Sequence, residues 1–243
     1  MSGAYYKPLA IDLFCGLGGW TEGLLAEGYR VVGFDIERHH YGEAKYPAQL
    51  VIQDVLTIHG RQFKDAALIV ASPPCQAYSY RAMPWKRAKA LPPPDNSLFE
   101  ACFRIQAEAC EAAGRHIPLV VENVRGAQPY VGRARWRFGS FYLWGDVPAL
   151  MPKVKAIKTQ GHPNIRDGHP HTRHLTNPGE HIKGANGGWF NDNKRAGKGE
   201  TGYLSRSGSK SPARKAASAH IAKIPEALAR HIARAWWPQE KTA

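Results

Sequence analysis

The chain is poor in cysteine, in acidic residues and in long apolar runs. Only Cys15, Cys75, Cys102 and Cys110 are cysteines among 243 residues. They form no Cys-x-x-Cys pair, which excludes a zinc ribbon or disulfide framework and fits reduced thiols in a cytoplasmic compartment. No stretch approaches the ~20 apolar residues that a membrane-spanning helix needs. Met1 to Lys7 lack an apolar segment, so no secretory signal is expected. There is no heptad pattern and no internal repeat. What is there suits a soluble domain with a real core: 43% of residues are hydrophobic and 22% charged. About two-thirds of the unfolded surface can be buried at this length.

The shortage of acid leaves a net charge of +13, from 33 Lys+Arg against 20 Asp+Glu. Such a balance is the electrostatic footprint of a nucleic-acid binder, although an anionic membrane surface would attract it too. The excess is localised. Residues 1–150 carry 16 basic and 14 acidic residues, residues 151–215 carry 13 and 4, and residues 216–243 carry 4 and 2. The middle segment also holds ten glycines and five histidines, and it has too few large apolar residues to bury a core of its own. Three regions are therefore expected: residues 1–150 as a charge-balanced domain, 151–215 as a short basic, loop-rich insert, and 216–243 as a C-terminal helix packing back on the first region.

Residues 9–14, Leu-Ala-Ile-Asp-Leu-Phe, read as a buried strand running into a turn, Cys15-Gly-Leu-Gly-Gly19, that glycine makes easily. A helix over 20–27 follows, then a strand over 30–34 ending at Asp35. Residues 41–46 read as a short helix, 50–52 and 68–70 as strands ending near Asp54 and at Ser72-Pro-Pro-Cys75. A helix over 97–113 capped by Asn96, a strand over 118–121 ending at Glu122-Asn123, a possible strand over 138–144 and a last helix over 224–237 complete the pattern. Repeated strand–turn–helix alternation predicts a doubly wound, parallel α/β sheet. Ligands in such sheets bind beyond the carboxyl ends of the strands, and the chemistry-bearing residues fall there.

Each constellation has a chemical reading and a bland one. The glycine turn lets backbone approach a ligand at a helix N-terminus, but it lacks the Gly-Lys-Ser/Thr of a triphosphate loop. Asp35 and Asp54 follow consecutive strands, where acids can accept from ribose hydroxyls and an adenine amino group; the bland alternative is a solvated turn aspartate. Pro73-Pro74-Cys75-Gln76 presents a cysteine on a stiff loop beside basic residues, suited to a nucleophile rather than a buried thiol. Cys15, Cys102 and Cys110 are read as packing. Glu122 after a buried strand is poorly solvated, which favours its protonated form and lets it share a proton with a ring nitrogen. Asn123 can satisfy loop backbone groups. Over residues 78–89, Tyr78, Tyr80 and Trp85 interleave with Arg81, Lys86, Arg87 and Lys89, as phosphate contact plus base stacking requires. Arg133, Arg135 and Arg137 would share one face of a strand. His162, His169, His171, His174 and His181 have no spacing suited to zinc, and no metal site is expected.

In this order the motifs resemble the DNA cytosine-5 methyltransferase family, in its short bacteriophage-type form. Asp12-Leu-Phe-Cys-Gly-Leu-Gly-Gly19 is similar to the family's S-adenosyl-L-methionine motif. Asp35 with Ile36, Asp54, Pro74-Cys75-Gln76, Ser97-Leu98-Phe99 and Glu122-Asn123-Val124 match motifs that follow it. The Gln-x-Arg-x-Arg motif is matched in its arginines alone, by Arg133/Arg135 or Arg135/Arg137. Ala222-Lys223-Ile224-Pro225 stands where the family has its terminal motif. The resemblance implies a Rossmann-like methyltransferase sheet with a small basic insert as its target-recognition segment. It implies S-adenosyl-L-methionine bound by Asp12, Phe14, Gly16, Leu17, Gly19, Asp35, Ile36, Asp54, Val55 and Pro73. Catalysis would fall to Cys75, Glu122, Arg133 and Arg135. Nucleic acid would meet Gln76, Tyr78, Ser79, Arg81, Trp85, Lys86, Arg87, Asn123 and Arg137. The expected activity is methylation of a flipped-out cytosine in double-stranded DNA through a covalent Cys75 adduct, by a monomer in the bacterial cytoplasm, in restriction–modification or phage biology. A tRNA cytosine-5 methyltransferase and a non-catalytic nucleic-acid-binding module on the same scaffold are the alternatives.

Overall fold

The computed structural model describes residues 7–41, 43–79, 92–151, 219 and 222–238. The insert therefore lies almost wholly outside the described residues, as do Arg81, Trp85, Lys86, Arg87 and the five insert histidines. In chain order the elements are β1 (Leu9–Leu13), α1 (Gly19–Ala26), β2 (Arg30–Asp35), β3 (His40–Tyr41), β4 (Ala44–Lys45), β5 (Gln49–Ile52), β6 (Ala66–Ala71), α2 (Ser97–Ala113), β7 (Leu119–Asn123), α3 (Gln128–Val131), β8 (Trp136–Phe138), β9 (Phe141–Gly145) and α4 (Glu226–Ala235).

Seven strands form one sheet in the order β5-β2-β1-β6-β7-β9-β8. The pairs among β5, β2, β1, β6 and β7 are parallel, while β9 runs antiparallel to both β7 and β8. The sheet is thus doubly wound as expected, with an antiparallel hairpin at one edge. The chain leaves β1 first towards β2 and β5, then returns to lay β6 on the other flank of β1. The carboxyl ends of β1 and β6 therefore flank the switch point, where such sheets hold their ligands.

Central strands are apolar on both faces because both faces are covered. Ile11, Leu13, Ile69, Ala71, Leu119 and Val121 face a core shared with Phe99, Cys102, Ile105 and Ala109 of α2. Ala10, Leu68, Val70 and Val120 face a second core with Trp20 and Leu24 of α1 and Leu228, Ala229 and Ile232 of α4. At ~25 cal/mol per Å2 of apolar area, burying each large side chain contributes about 1.5–3 kcal/mol. α1 and α4 approach closely because Gly23 has no side chain; a Cβ there would overlap Ala229 and the backbone of Arg230. Glu27 accepts from Arg230 at 2.6 Å and from Arg234 at 2.7 and 2.8 Å across the same contact.

Three local expectations are corrected. Residues 41–46 are not a helix: β3 and β4 pair as a short antiparallel hairpin, and Tyr46 beyond it is drawn into the core, where tertiary burial overrides local propensity. Asn96 sits at the N-cap of α2 but makes no side-chain cap. Its amide instead accepts from the Tyr78 hydroxyl at 2.8 Å and donates to the Tyr130 carbonyl at 3.2 Å, and Asp95 takes the Ser97 N–H at 2.8 Å. The arginine run is not one strand: β8 spans Trp136–Phe138 only, so Arg137 alone lies on it and Arg133 and Arg135 precede it.

Candidate active site

The site is assembled from the carboxyl ends of five neighbouring strands. At β1, Asp12 is buried and Phe14 has φ +58°, an outlier for a non-glycine residue that holds the turn open. Gly16 (φ +51°) and Gly18 (φ +80°) continue the turn in the left-handed region. Gly16 is half-buried, Leu17 is buried, and Gly19 opens α1. A Cβ on Gly19 would overlap the backbone of Ile224, so the segment that leads into α4 packs directly on the turn.

At the end of β2, Asp35 ties the turn to its own strand. Its Oδ2 accepts from Gly16 N–H at 2.8 Å and its Oδ1 from Ile36 N–H at 2.8 Å. His39 Nε2 lies 3.4 Å from Oδ1. Burial opposes the charge on Asp35, but the hydrogen bonds from His39 and Gly16 outweigh it and hold the carboxyl below its usual range. His39 in turn is raised above the usual imidazole range, chiefly by its hydrogen bond to Asp35. Ile36 is 69% exposed. After β5, Asp54 is half-buried and caps a 3-10 turn by accepting from Leu56 N–H at 2.9 Å. Val55 beside it is buried in the core.

At β6 the loop is stapled from two sides. Ser72 N–H donates to Leu13 O at 3.1 Å, and Trp20 Nε1 donates to Ser72 Oγ at 3.0 Å. Asn123 Nδ2 donates to Pro73 O at 3.0 Å. Cys75 is half-buried, Gln76 and Ser79 are exposed, and Pro73 is buried. A pocket of about 240 Å3 opens beside this loop, lined by Pro73, Pro74, Gln76, Tyr78, Leu98 and Phe99 among others. A larger hollow of about 580 Å3 by Lys64, Asp65 and Arg115 lies at the opposite end of the sheet, remote from all of these groups. On β7, Glu122 is buried, next in the chain to the Asn123 that bonds the loop. Its register partner on β9 is Leu143, whose carbonyl accepts from Arg135 N–H at 2.9 Å. Arg135 thus stands about two strand spacings, roughly 10 Å, from Glu122. Arg133, Arg135 and Arg137 are all exposed.

Two residues expected to touch nucleic acid are turned inward. Tyr78 is 3% exposed, with its hydroxyl on Asn96. Asn123 is wholly buried, and its amide is spent on Pro73 O and on Val124 N–H at 2.8 Å. Both build the loop rather than its outer surface, because a buried polar group must be paired within the protein.

Three polar residues absent from the sequence reading enter the site. His39 stands on Asp35. Thr21 Oγ1 donates to Asp12 Oδ2 at 2.6 Å, and Tyr46 Oη lies 2.6 Å from the same Thr21 oxygen. The spacing of Asp12 and Thr21, one turn into the helix beyond a glycine turn, was the available signal for the second of these. Asp12 is raised to about 7, by burial first and by the like charge of Asp35, against the Thr21 hydrogen bond. Among the described residues no cluster of His, Cys, Asp and Glu is suited to a metal ion, and no helix is long and apolar enough to cross a membrane.

An adenosyl cofactor needs acceptors for its diol and exocyclic amine, an apolar face for its ring and close backbone approach. Asp35, Asp54, Ile36 and the Gly16–Gly19 turn fit those needs. Residues 9–128 match the family model of the C-5 cytosine-specific DNA methylases, whose methyl donor, S-adenosyl-L-methionine, is the cofactor of this chain. No curated protein matches the chain. Among solved structures, it is similar to a prophage-encoded protein of E. coli described as a DNA modification methyltransferase, at 21% identity and a TM-score of 0.34 over 50% of this chain and 33% of that one. It is also similar to the S. pombe Dnmt2 methyltransferase, at 17% identity and 0.34 over 51% and 36%. The Entamoeba histolytica methyltransferase EhMeth gives 16% and 0.35 over 52% and 41%. The chain spans about a third of the length of the first two, and at these scores the likenesses carry nothing about chemistry. Residues 9–128 are thus the part of the chain that carries the C-5 cytosine-specific DNA methylase domain.

Proposed function

We propose that the protein methylates C5 of a cytosine in double-stranded DNA. The observation that carries the reading is the convergence of Cys75 and Glu122. β6 and β7 pair in parallel with Ala71 opposite Val121, so the Pro-Pro-Cys loop and the Glu122 strand end lie at the same, carboxyl end of the sheet. Asn123 then bonds the two segments together.

Cytosine C5 is a poor nucleophile, and the chemistry assigned to this chain's residues corrects that. Cys75 Sγ, as thiolate, adds to C6, and the electron pair released into the ring makes C5 nucleophilic. When bound, S-adenosyl-L-methionine would supply an electrophilic methyl group on its sulfonium, which C5 would take as the sulfur–methyl bond breaks and the donor leaves as a neutral thioether. Glu122 holds N3 and the exocyclic amine and stabilises charge developing on the ring. Arg133 or Arg135 holds O2. Loss of the C5 proton to a base and elimination of the Cys75 thiolate release 5-methylcytosine. A base inside the duplex is out of reach, so the nucleotide is flipped out, at a cost of a few kcal/mol. Asp35 would accept from the ribose diol of the donor and Asp54 from its adenine amine, and Phe14 and Ile36 would offer the ring an apolar surface. Gly16, Leu17, Gly19, Val55 and Pro73 complete the cofactor cleft. Gln76, Ser79, Arg81, Trp85, Lys86, Arg87 and Arg137 are assigned to nucleic acid, and target selection to residues 151–215. The protein is taken to act as a monomer in the cytoplasm.

The test is expression in a bacterium free of DNA methylation, with 5-methylcytosine measured by mass spectrometry in both DNA and tRNA. Wild-type protein is expected to mark DNA, and Cys75→Ala to mark nothing while keeping its affinity for the methyl donor. Label in tRNA alone would replace DNA by tRNA as substrate. Label in neither, from folded protein that binds the donor, would favour a non-catalytic nucleic-acid-binding role.

A further inference from the structure

Asp35, at the end of β2, already serves several donors. An ionised carboxylate offers about four acceptor sites. Oδ2 takes Gly16 N–H at 2.8 Å. Oδ1 takes Ile36 N–H at 2.8 Å, with Glu37 N–H at 3.5 Å and His39 Nε2 at 3.4 Å on the same oxygen. Oδ1 is therefore fully subscribed, and Oδ2 has one site left. A ribose diol brings two hydroxyl donors. One can use the open site on Oδ2; the other needs a site that is already filled.

The partners of Asp35 are not equally fixed. The N–H groups of Gly16, Ile36 and Glu37 belong to the backbone that follows β1 and β2, and they cannot leave without unmaking those turns. His39 reaches the carboxylate by a side chain, and its contact is longer than the about 2.7–2.9 Å of a tight charge-assisted bond. Both groups meet solvent: the side chain of His39 is 22% exposed and that of Asp35 11%. A second acid stands within reach of the imidazole. Glu37 Oε1 lies 3.8 Å from His39 Nδ1, on a side chain 70% exposed. The other groups around His39 are the Tyr41 ring of β3, at a centroid distance of 6.3 Å, and its exposed chain neighbours Arg38 and His40. Asp12 bears on Asp35 by like charge.

We propose that His39 is a positioning residue and the exchangeable partner of Asp35: it holds the carboxylate in the donor-free protein and yields its acceptor site to a ribose hydroxyl when the methyl donor binds. The proposal rests on reading the strand-end cleft as the donor site. It couples donor binding to a proton. Beside Asp35, His39 keeps its proton above the ordinary value of 6.5. Away from Asp35 the imidazole returns towards that value, part of its proton passes to solvent, and both diol hydroxyls keep theirs. Affinity for a diol-bearing nucleoside therefore rises as pH rises through the neutral range.

Calorimetric titration in two buffers of different ionisation heat reads the proton directly. 5′-Methylthioadenosine carries the diol, and its 2′,3′-dideoxy analogue does not. Wild-type protein is expected to release a fraction of a proton on binding 5′-methylthioadenosine at pH 7. It should bind this nucleoside about two- to fivefold more tightly at pH 8 than at pH 6, the worth of a partly exposed ion pair. The dideoxy analogue should lack that release, which separates His39 from Asp12, a group raised to about 7. His39→Gln should bind 5′-methylthioadenosine without the release, with affinity level across the range and above wild type at pH 6. No release from wild type, proton uptake, release undiminished in His39→Gln, or release equal for both nucleosides would overturn the proposal. If His39→Gln does not fold, the pair of nucleosides decides it; if the dideoxy analogue binds too weakly to titrate, the variant does. Asp35→Ala is the control for the underlying reading: it should weaken 5′-methylthioadenosine at every pH. No effect there, or no binding by wild-type protein, would overturn the donor-site reading itself and the proposal with it.

Discussion

At the scale of single residues, the site is governed by carboxylates held in different surroundings. Asp35 stays charged because N–H groups from Gly16, Ile36 and His39 surround it. Asp12 has one hydroxyl donor and is raised to about 7. The sign of the stability effect follows. Folded Asp12 keeps its proton to about pH 7, whereas the unfolded side chain loses it near its ordinary value of 3.8. The donor-free protein is therefore stabilised by this group below that value and loses the contribution as pH rises from about 4 to 7, a change on the order of a few kcal/mol. Thermal unfolding across that range should show Asp12→Asn less pH-sensitive than wild type and more stable at pH 8. An unchanged pH profile would remove Asp12 from the account.

At the scale of elements, the glycine turn is held from behind by α4. The backbone of Ile224 abuts Gly19, and Gly23 lets Ala229 and Arg230 approach α1. The ion pairs of Glu27 lie at the surface of this contact and contribute little each; the close packing matters more. Gly23→Leu should cost about 1–3 kcal/mol by overpacking, read as a lower denaturant midpoint. It should also weaken donor binding, because α1 begins at the turn. Glu27→Ala should change either quantity far less. The same elements show what was legible in the sequence. The β1–turn–α1 unit, the ends of β2, β6 and β7, and α2 were readable because short apolar runs end in Gly, Pro or acid. The hairpin of β3 and β4 was not. Its residues have helical propensity, and what displaces them is the burial of Tyr46 against Gly33 and Thr21, contacts that are remote in sequence.

At the scale of the whole molecule, charge and chemistry are separated along the chain. Residues 1–150 are nearly balanced and hold the strand-end site, while residues 151–215 carry most of the excess positive charge. If the insert contacts the nucleic-acid backbone, affinity for duplex DNA should be strongly salt-dependent. A protein making six or more phosphate contacts loses about a thousandfold in affinity between 50 and 200 mM salt. Fluorescence anisotropy over that range should give a steep linear fall in log affinity. A flat response would argue that the basic segment does not meet phosphate. Donor binding should be insensitive to the same change, since its charged contacts are buried and poorly screened.

The sequence by itself determined β1, α1, β2, β5, β6, α2 and β7 in their order, and the positions of Asp12, Asp35, Asp54, Cys75 and Glu122 at or just beyond strand ends. Those features are local: a strand needs a short apolar run, and the residue that ends it is its neighbour in the chain. Tertiary structure alone decided which of these polar groups are paired. It turned Tyr78 and Asn123 inward to build the loop, brought His39 onto Asp35, and joined Tyr46 to Asp12 through Thr21. Such pairings follow from desolvation, which obliges every buried donor and acceptor to find a partner wherever packing has placed one. The sequence pattern names the groups; only the packed sheet determines their partners.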